Sequence, residues 1–302
     1  MDLKNRPLVF IILVNYNGAN DTIACLTSLK NITYENYKIL VVDNSSTDDS
    51  VLVLSSFDDV EFELICLNEN KGFSAGNNSG IVYAKDKEAD YFLLLNNDTI
   101  VESGFLEPLI SQFDKDGQIG VTIGKIFYES NRKKIWYSGG SLSLKTTKTA
   151  HHNFNELDNG IENNAQDVGF ATGCCLCLSR KVIEFVGLLD EEYFLYEEDV
   201  DYCLKVRRAN FKISYVPKSV IYHKVSASAN KLGGLTQYYM VRNKFLLIKK
   251  NLKLKSKPLA YSYSVLMFLN RIRKNELDVK YAIWGILDFL KGLKYMTLRN
   301  LG

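Results

Sequence analysis

The segment YFLLLNNDTIV, residues 91–101, decides how the chain is read. Five bulky apolar or aromatic residues run directly into Asn96, Asn97 and Asp98. An apolar run of this length, bounded by polar residues, predicts a strand buried on both faces. Two explanations compete for its polar end. Asn and Asp favour turns, because their side chains bond nearby backbone. The carboxyl ends of parallel strands are also where ligands bind, so the cluster could belong to a site.

The neighbouring segments bear on that choice. LVFIILV, residues 8–14, is a second β-rich run and ends in NYNG. A helix is expected from about Asn20 to Lys30, capped by Asn20 or Asp21. YKILVVDNSSTDDS gives another buried strand ending in Asp43, then a polar turn and a second helix. VEFELICLNENKGFSAGNNSGI gives a strand, a glycine-containing loop and a helix start. Strands alternating with helices indicate a parallel sheet with right-handed crossovers. NYN, DNSSTD and NND then fall at one edge. One polar strand end is a turn; three at the same edge look like a site.

Further along, residues 125–165 show no clear pattern. HHNFNELDNGIENN reads as a mobile loop with His151 and His152 in solvent. VGFATGCCLCLS is strand-like, and RKVIEFVGLLDE reads as a helix and a turn. Val200, Cys203, Leu204 and Val206 suit a short amphipathic helix, and FKISYVP a strand ended by Pro217. Beyond residue 236 the pattern is helical and basic.

The chain has 302 residues, 46% hydrophobic and 24% charged, which is globular composition. A net charge of +2 gives no global pull toward nucleic acid, which is not expected as a partner. The charge is unevenly placed. Residues 244–302 hold 13 Lys or Arg and 3 Asp or Glu, a net of +10, which leaves −8 for residues 1–243. A basic tail of this kind suits an anionic partner. No paired CxxC set is present, so a zinc site is not expected. Cys174, Cys175 and Cys177 read as buried reduced thiols, which fits a cytosolic compartment. No leader peptide is expected from the N-terminal residues, and no run approaches the roughly 18 apolar residues of a spanning helix.

Four groups carry candidate chemistry. Asp43 could accept hydrogen bonds from a ribose or base edge, or cap a helix. NENKGFSAGNNSG, residues 68–80, has three glycines but is neither GxGxxG nor a Walker loop. Its Asn77 and Asn78 could bond a nucleoside or cap a helix. Glu197, Glu198, Asp199 and Asp201 form the densest acidic cluster. Mutual repulsion there can hold one carboxyl at a raised pKa, useful to a general base; a helix N-terminus would favour the same residues. His223 ends the strand-like SVIY and becomes a metal-ligand candidate only if it meets Asp98 in space.

NYN, VVDNSSTDDS, NKGFSAGNNSGI, LLLNND, TGCCLCLSRKV and FLYEEDVDYCLKVRRANFKISYVPKSVIYH, in that order, closely resemble the inverting family 2 glycosyltransferases, in particular bacterial rhamnosyltransferase-like members. The resemblance covers about residues 7–245. It implies an α/β GT-A fold, a mixed and mostly parallel sheet flanked by helices. Residues 1–100 would form the nucleotide-binding half of the domain and 101–243 the acceptor half, with 244–302 a basic amphipathic helical tail. It further implies that Asn15, Tyr16, Asp43, Asn77, Asn78 and Asn97 hold the nucleotide, and that Arg242 in YYMVRN offers a fork to a diphosphate. LNND matches the metal-binding D-x-D motif, with Asn96 at its first position. Asp98 and His223 would therefore hold Mg²⁺ or Mn²⁺. Asp199 aligns with the catalytic base, and Gly173 and Glu198 would face the acceptor.

The implied reaction moves a sugar from a UDP- or dTDP-linked donor to a hydroxyl of a glycan or lipid-linked acceptor, in cell-surface polysaccharide synthesis. Other readings are a sugar nucleotidyltransferase, which NYNGAND lacks the basic residues to support, and a non-catalytic sugar-nucleotide-binding protein. A dinucleotide oxidoreductase is disfavoured by the missing GxGxxG. In the tail, Ile283, Ile286, Leu287, Leu290 and Leu293 recur at helical spacing beside Lys291 and Lys294. Such a helix could pack on the domain or lie on an anionic membrane surface, which would place a cytoplasmic protein at the inner face of the cell membrane.

Overall fold

The computed structural model describes residues 6–160, 164–225 and 233–294. Its N-terminal half alternates strands and helices in chain order. These are β1 (Val9–Asn15), α1 (Ala19–Leu29), β2 (Tyr37–Asp43), α2 (Ser50–Ser55), β3 (Glu63–Cys66), α3 (Phe73–Asp86) and β4 (Tyr91–Asn96). β1 pairs in parallel with both β2 and β4, and β2 with β3. The register sets Asn15 beside Asp43 and Val14 beside Asn96, so the polar strand ends share one edge. Residues 9–13 and 92–95 are almost completely buried, as expected for strands covered on both faces.

Helix α3 lies unusually close to β1. A Cβ on Gly76 would fall 2.8 Å from the Val14 side chain, and one on Gly80 2.5 Å from Ile12. Gly76 and Gly80 of NENKGFSAGNNSG therefore serve helix–sheet packing. Helix α1 begins one residue before the expected cap and has no side-chain cap; Gly18 occupies that position.

At Asn97–Asp98 the chain turns back into β5 (Thr99–Val101) and then enters α4 (Leu106–Lys115). Next come β6 (Ile119–Tyr128), β7 (Asn131–Tyr137), β8 (Gly140–Leu142), β9 (Thr149–His151), β10 (Gln166–Asp167) and β11 (Cys175–Ser179). Helices α5 (Arg180–Val186) and α6 (Glu198–Arg208) precede β12 (Lys212–His223). The described residues form a ten-stranded sheet with the main order β10-β12-β6-β11-β4-β1-β2-β3, β5 pairing with β12 and β7 with β6. β11 runs antiparallel between β4 and β6, so the sheet is mixed.

Three expectations need correction here. Much of the stretch from 125 to 165 is ordered as β6 to β9. His151 is partly buried, with Nδ1 2.9 Å from the Trp136 carbonyl and its ring against Trp136, Tyr137 and Phe170. Burial pushes its pKa down. β12 also continues past Pro217, because its pairing with β6 shifts register between Val216 and Val220, a place where a missing N–H is tolerated.

The C-terminal helices are α7 (Gly234–Asn251), α8 (Lys257–Arg273) and α9 (Val279–Lys291). The expected boundary at 243/244 falls inside α7, whose Leu246 and Leu247 belong to the main core. Val241, Phe245, Phe268, Leu277 and Ala282 form a second small core between these helices. Among the described residues, no helix is long and apolar enough to cross a membrane.

Candidate active site

Asn15, Asp43 and Asn97 meet through a chain of hydrogen bonds at the strand ends. Asn15 Nδ2 donates to Asp43 Oδ2 at 2.7 Å. Thr22 Oγ1 donates to Asn15 Oδ1 at 2.9 Å and accepts from Asn97 Nδ2 at 2.9 Å. Asp43 also accepts from the Ser46 backbone N–H at 2.8 Å and the Ser46 hydroxyl at 2.6 Å. Asp43 therefore shapes a side-chain-closed turn with Ser45 in the left-handed region, φ 63°. It does not cap α2, whose cap position is Asp49. Tyr16 is exposed at this edge. Beside it lies a cavity of about 210 Å³, lined by Asn17, Gly18, Asp21, Asp48, Asp49 and their neighbours.

The turn at 97–98 brings the second group together. β5 pairs antiparallel with the end of β12, setting Thr99 opposite His223, and the Lys224 N–H donates to the Asp98 carbonyl at 3.0 Å. His223 Nε2 consequently lies 3.1 Å from Asp98 Oδ1. Burial alone would raise the Asp98 pKa, but His223 and Lys224 outweigh it and hold the carboxyl below its usual value. Both residues are buried, at 5% and 7% exposure. Neither Asp98 Oδ1 nor His223 Nδ1 has a well-formed hydrogen bond within the protein. The His223 ring also stands edge-on to Trp136, centroids 4.8 Å apart.

A buried carboxylate oxygen without a well-formed hydrogen bond calls for a partner, and a bound ion is one that can supply it. Among the described residues, no group of three or more His, Cys, Asp or Glu side chains converges. Two protein ligands suffice for a hard cation that takes its remaining oxygens from a diphosphate and water. The residues thus fit Mg²⁺ or Mn²⁺ held jointly with a substrate.

Asp199 sits in the first turn of α6. Its Oδ2 accepts from the Gly173 N–H at 3.0 Å, and its Oδ1 from the Val200 N–H at 2.8 Å. Burial raises its pKa to about 6 despite those two donors, and the negative charge of Glu197 adds to the rise. Burial and the adjoining Asp199 push the Glu198 carboxyl well above the usual range, and its Oε2 has no hydrogen-bond partner. One backbone segment joins this acidic group to the strand ends. Gly173 gives its N–H to Asp199, and the next residue, Cys174, gives its carbonyl to the Asn96 N–H at 2.9 Å.

Three expected site residues are committed elsewhere. Asn77 donates back along α3 to the Phe73 carbonyl. Asn78 exchanges hydrogen bonds with Leu189, donating to its carbonyl at 2.9 Å and accepting from its N–H at 3.0 Å, and also reaches Glu191. Both are nearly fully buried inside α3, not at its cap. Arg242, 2% exposed, gives its guanidinium to the carbonyls of Glu192 and Leu293 and to Asn243 Oδ1. That corrects its expected place at a diphosphate, because its donors tie α7 to the segment before α6 and to the end of α9. Thr22, Ser46, Trp136, Asn243 and Lys244 belong to this region but carry no motif. The detectable signal was RNK, three consecutive polar residues in the otherwise apolar YYMVRNKFLLI.

The parallel run β3-β2-β1-β4, an antiparallel strand inserted next to β4, and a turn presenting Asp98 make up a GT-A fold. The model of the family described as Glycosyl transferase family 2 matches residues 10–187, and the chain belongs to that family. It is 25% identical over 299 residues to a dTDP-rhamnosyl transferase, RfbF, of Shigella flexneri, covering 94% of this chain and 96% of that one. It is 27% identical to a low-salt glycan biosynthesis hexosyltransferase of Haloferax volcanii, covering 95% and 87%. An N-acetylglucosaminyl-diphospho-decaprenol L-rhamnosyltransferase of Mycobacterium tuberculosis is 24% identical over 72% of this chain and 76% of its own. Among solved structures, the mannosyltransferase PcManGT of Pyrobaculum calidifontis, in complex with GDP-Man and Mn²⁺, superposes with a TM-score of 0.59 at 14% identity, covering 96% of this chain and 88% of that one. S. aureus TarS 1-349 gives 0.58 at 14% identity, covering 93% and 80%. The protein is a sugar-transferring enzyme of that family, similar in sequence to rhamnosyl- and hexosyltransferases.

Proposed function

We propose that the enzyme inverts the anomeric centre of a UDP- or dTDP-linked sugar as it transfers that sugar to a hydroxyl of a glycan or lipid-linked acceptor. The observation that carries the reading is the pairing of Asp98 with His223 on one side of the Gly173–Cys174 segment and Asp199 on the other. Asn15, Asp43 and Asn97 frame the nucleoside subsite, with Tyr16 exposed beside it. Asp98 and His223 would hold a divalent cation, whose positive charge would offset negative charge on a departing nucleoside diphosphate. Asp199 takes the proton from the acceptor hydroxyl. The freed oxygen forms its bond to the anomeric carbon from the face opposite the leaving group, and the sugar–phosphate bond breaks. A carboxyl with its pKa near 6 is ionised at neutral pH yet still basic enough to accept that proton. Gly173 has no side chain beside Asp199, where the acceptor would approach, and the unpartnered Oε2 of Glu198 is open to an acceptor hydroxyl.

The similarity to dTDP-rhamnosyl and decaprenol-linked rhamnosyl transferases favours a dTDP-linked donor and a lipid-linked acceptor. The C-terminal helices suit such an acceptor. Leu259, Leu266 and Leu269 on α8 and Ile283, Leu287 and Leu290 on α9 are exposed, within a region of net charge +10. They rest on an anionic leaflet at the inner face of the cell membrane. The test is a panel of UDP-, dTDP- and GDP-sugars, scored for release of nucleoside diphosphate and for the configuration of the product linkage. Turnover of one or more donors with inversion is expected. Binding without turnover of any would make the protein a sugar-nucleotide binder, and retention would remove Asp199 as a base acting on the acceptor.

A further inference from the structure

Helix α6 is entered through two consecutive non-glycine residues in the left-handed region, Tyr196 at φ 69° and Glu197 at φ 70°. Such a conformation persists only where its surroundings over-determine it. Three consecutive side chains of α7 surround this one. Arg242 Nη1 donates to the Glu192 carbonyl at 2.7 Å. Asn243 Nδ2 donates to the carbonyls of Leu195 at 2.8 Å and Tyr196 at 3.1 Å. Lys244 Nζ lies 3.2 Å from Glu197 Oε1 and 3.3 Å from Oε2, and donates to the Thr147 carbonyl at 2.7 Å. The Lys244 and Glu197 side chains are 6% and 14% exposed. A buried pair of this kind is weak support for stability, since both charges lose hydration. What it does set is position and local charge, two residues from Asp199.

We propose that Lys244 is a positioning residue for Asp199: by holding Glu197 it fixes the left-handed entry to α6 and screens the carboxylate of Asp199 from that of Glu197. The inference rests on Asp199 acting as the base. The groups around Asp199 and Glu197 are Glu198, Asp201 and Cys203 on α6, Tyr193 and Tyr196 ahead of it, Tyr137 from β7, and Lys244 from α7. Asp201 is itself paired with Lys205 at 2.7 Å, which leaves Glu197 as the acidic neighbour that Lys244 alone neutralises among the described ion pairs.

The test compares pH profiles of kcat/KM for the full-length enzyme and two variants. Lys244→Met leaves the Glu197 charge uncompensated, so the acid limb is expected to rise by about one pH unit. The double variant Lys244→Met/Glu197→Gln removes that charge and is expected to return the limb toward its original position. A lysine that only supports the fold would lower the melting temperature and leave the limb in place, and that result overturns the proposal. If Lys244→Met does not fold, Glu197→Gln alone serves: its limb is expected to move down, and an unmoved limb is equally fatal. Should the native enzyme turn over no sugar nucleotide, the transferase reading fails by itself. The carboxyl-carbon NMR titration of Asp199 in native and variant protein, which needs no substrate, then decides the role of Lys244.

Discussion

Asp199 and Asp98 are both carboxylates at the rim of one sheet, and their surroundings drive them apart. Asp199 is raised to about 6, chiefly by burial, whereas Asp98 is held low by His223 and Lys224 against its own burial. Those opposite shifts suit the proposed roles, Asp199 as proton acceptor and Asp98 as a lasting charge. Asp199→Asn should lower transfer by about 10²- to 10⁴-fold, the range for loss of a general base. Nucleoside diphosphate binding, measured by calorimetry, should be nearly unchanged, because its contacts lie on other strands. In the native enzyme, kcat/KM should climb as pH passes through about 6. The same raised pKa has a stability consequence. The folded state binds a proton that the unfolded chain releases at lower pH, so this contribution is full below the unfolded pKa and is lost as pH rises through the folded one. Chemical denaturation across pH should show that loss in the native protein and not in Asp199→Asn. At the other carboxylate, excess chelator should abolish turnover, and Asp98→Ala should reduce the response to added Mn²⁺ more than His223→Ala, since imidazole brings no compensating charge. Full activity in chelator would remove the cation from the mechanism.

The two explanations for the end of β4 turn out to describe one object. Asn97–Asp98 is a turn, and that turn carries Asp98 to His223. Strand ends were readable because an apolar run broken by Asn and Asp leaves few other structures. Helices were readable in place but not always in facing. Ile283, Ile286, Leu287, Leu290 and Leu293 marked one apolar face that could meet the domain or a membrane; in α9 Ile283, Leu287 and Leu290 are exposed, and the residues the helix buries are Ala282, Gly285 and Asp288. A Cβ on Gly285 would lie 2.9 Å from the Tyr238 carbonyl and 3.0 Å from the Arg242 nitrogen, so α9 approaches α7 through its smallest residue. Asp288 then accepts from the Tyr238 hydroxyl at 3.1 Å. A hydrophobic pattern cannot report a contact made by glycine. The commitments of Asn78 and Arg242 were hidden for a related reason, since their partners are backbone carbonyls distant in sequence. Gly285→Leu should force α9 off α7 and destabilise the protein by about 1–3 kcal/mol, the usual cost of overpacking, as read from urea unfolding.

Along the chain, charge is segregated, and exposed apolar residues are densest on the positive part. The first 243 residues carry −8 and the remainder +10, and the exposed leucines of α8 and α9 sit on the positive part. Between these helices and α7 lies an apolar cavity of about 490 Å³, lined by Phe245, Lys249, Tyr261, Ile286, Phe289 and Leu290. Binding to anionic vesicles is therefore expected at low salt and should weaken as salt screens the lysines. Cutting the chain near Leu252 is a poor test, since it would strip the cover from Val241 and Phe245 and release Arg242 from Leu293. Leu266→Ser/Leu290→Ser alters residues that are 66% and 71% exposed, and should abolish sedimentation with vesicles while leaving the melting temperature near native. A double variant that still sediments would assign this surface another role.

The Gly173–Cys174 segment has a consequence for how such an enzyme can diversify. The Gly173 N–H anchors Asp199, and the Cys174 carbonyl anchors the strand that presents Asp98. The spacing between the two half-sites is thereby written into covalent bonds, with about 3.8 Å between successive Cα atoms. Side chains around the nucleoside or the acceptor can be exchanged without touching that spacing. If the proposed inversion holds, lineages descended from this scaffold are free to trade one sugar for another while the handedness of the bond they make stays inherited.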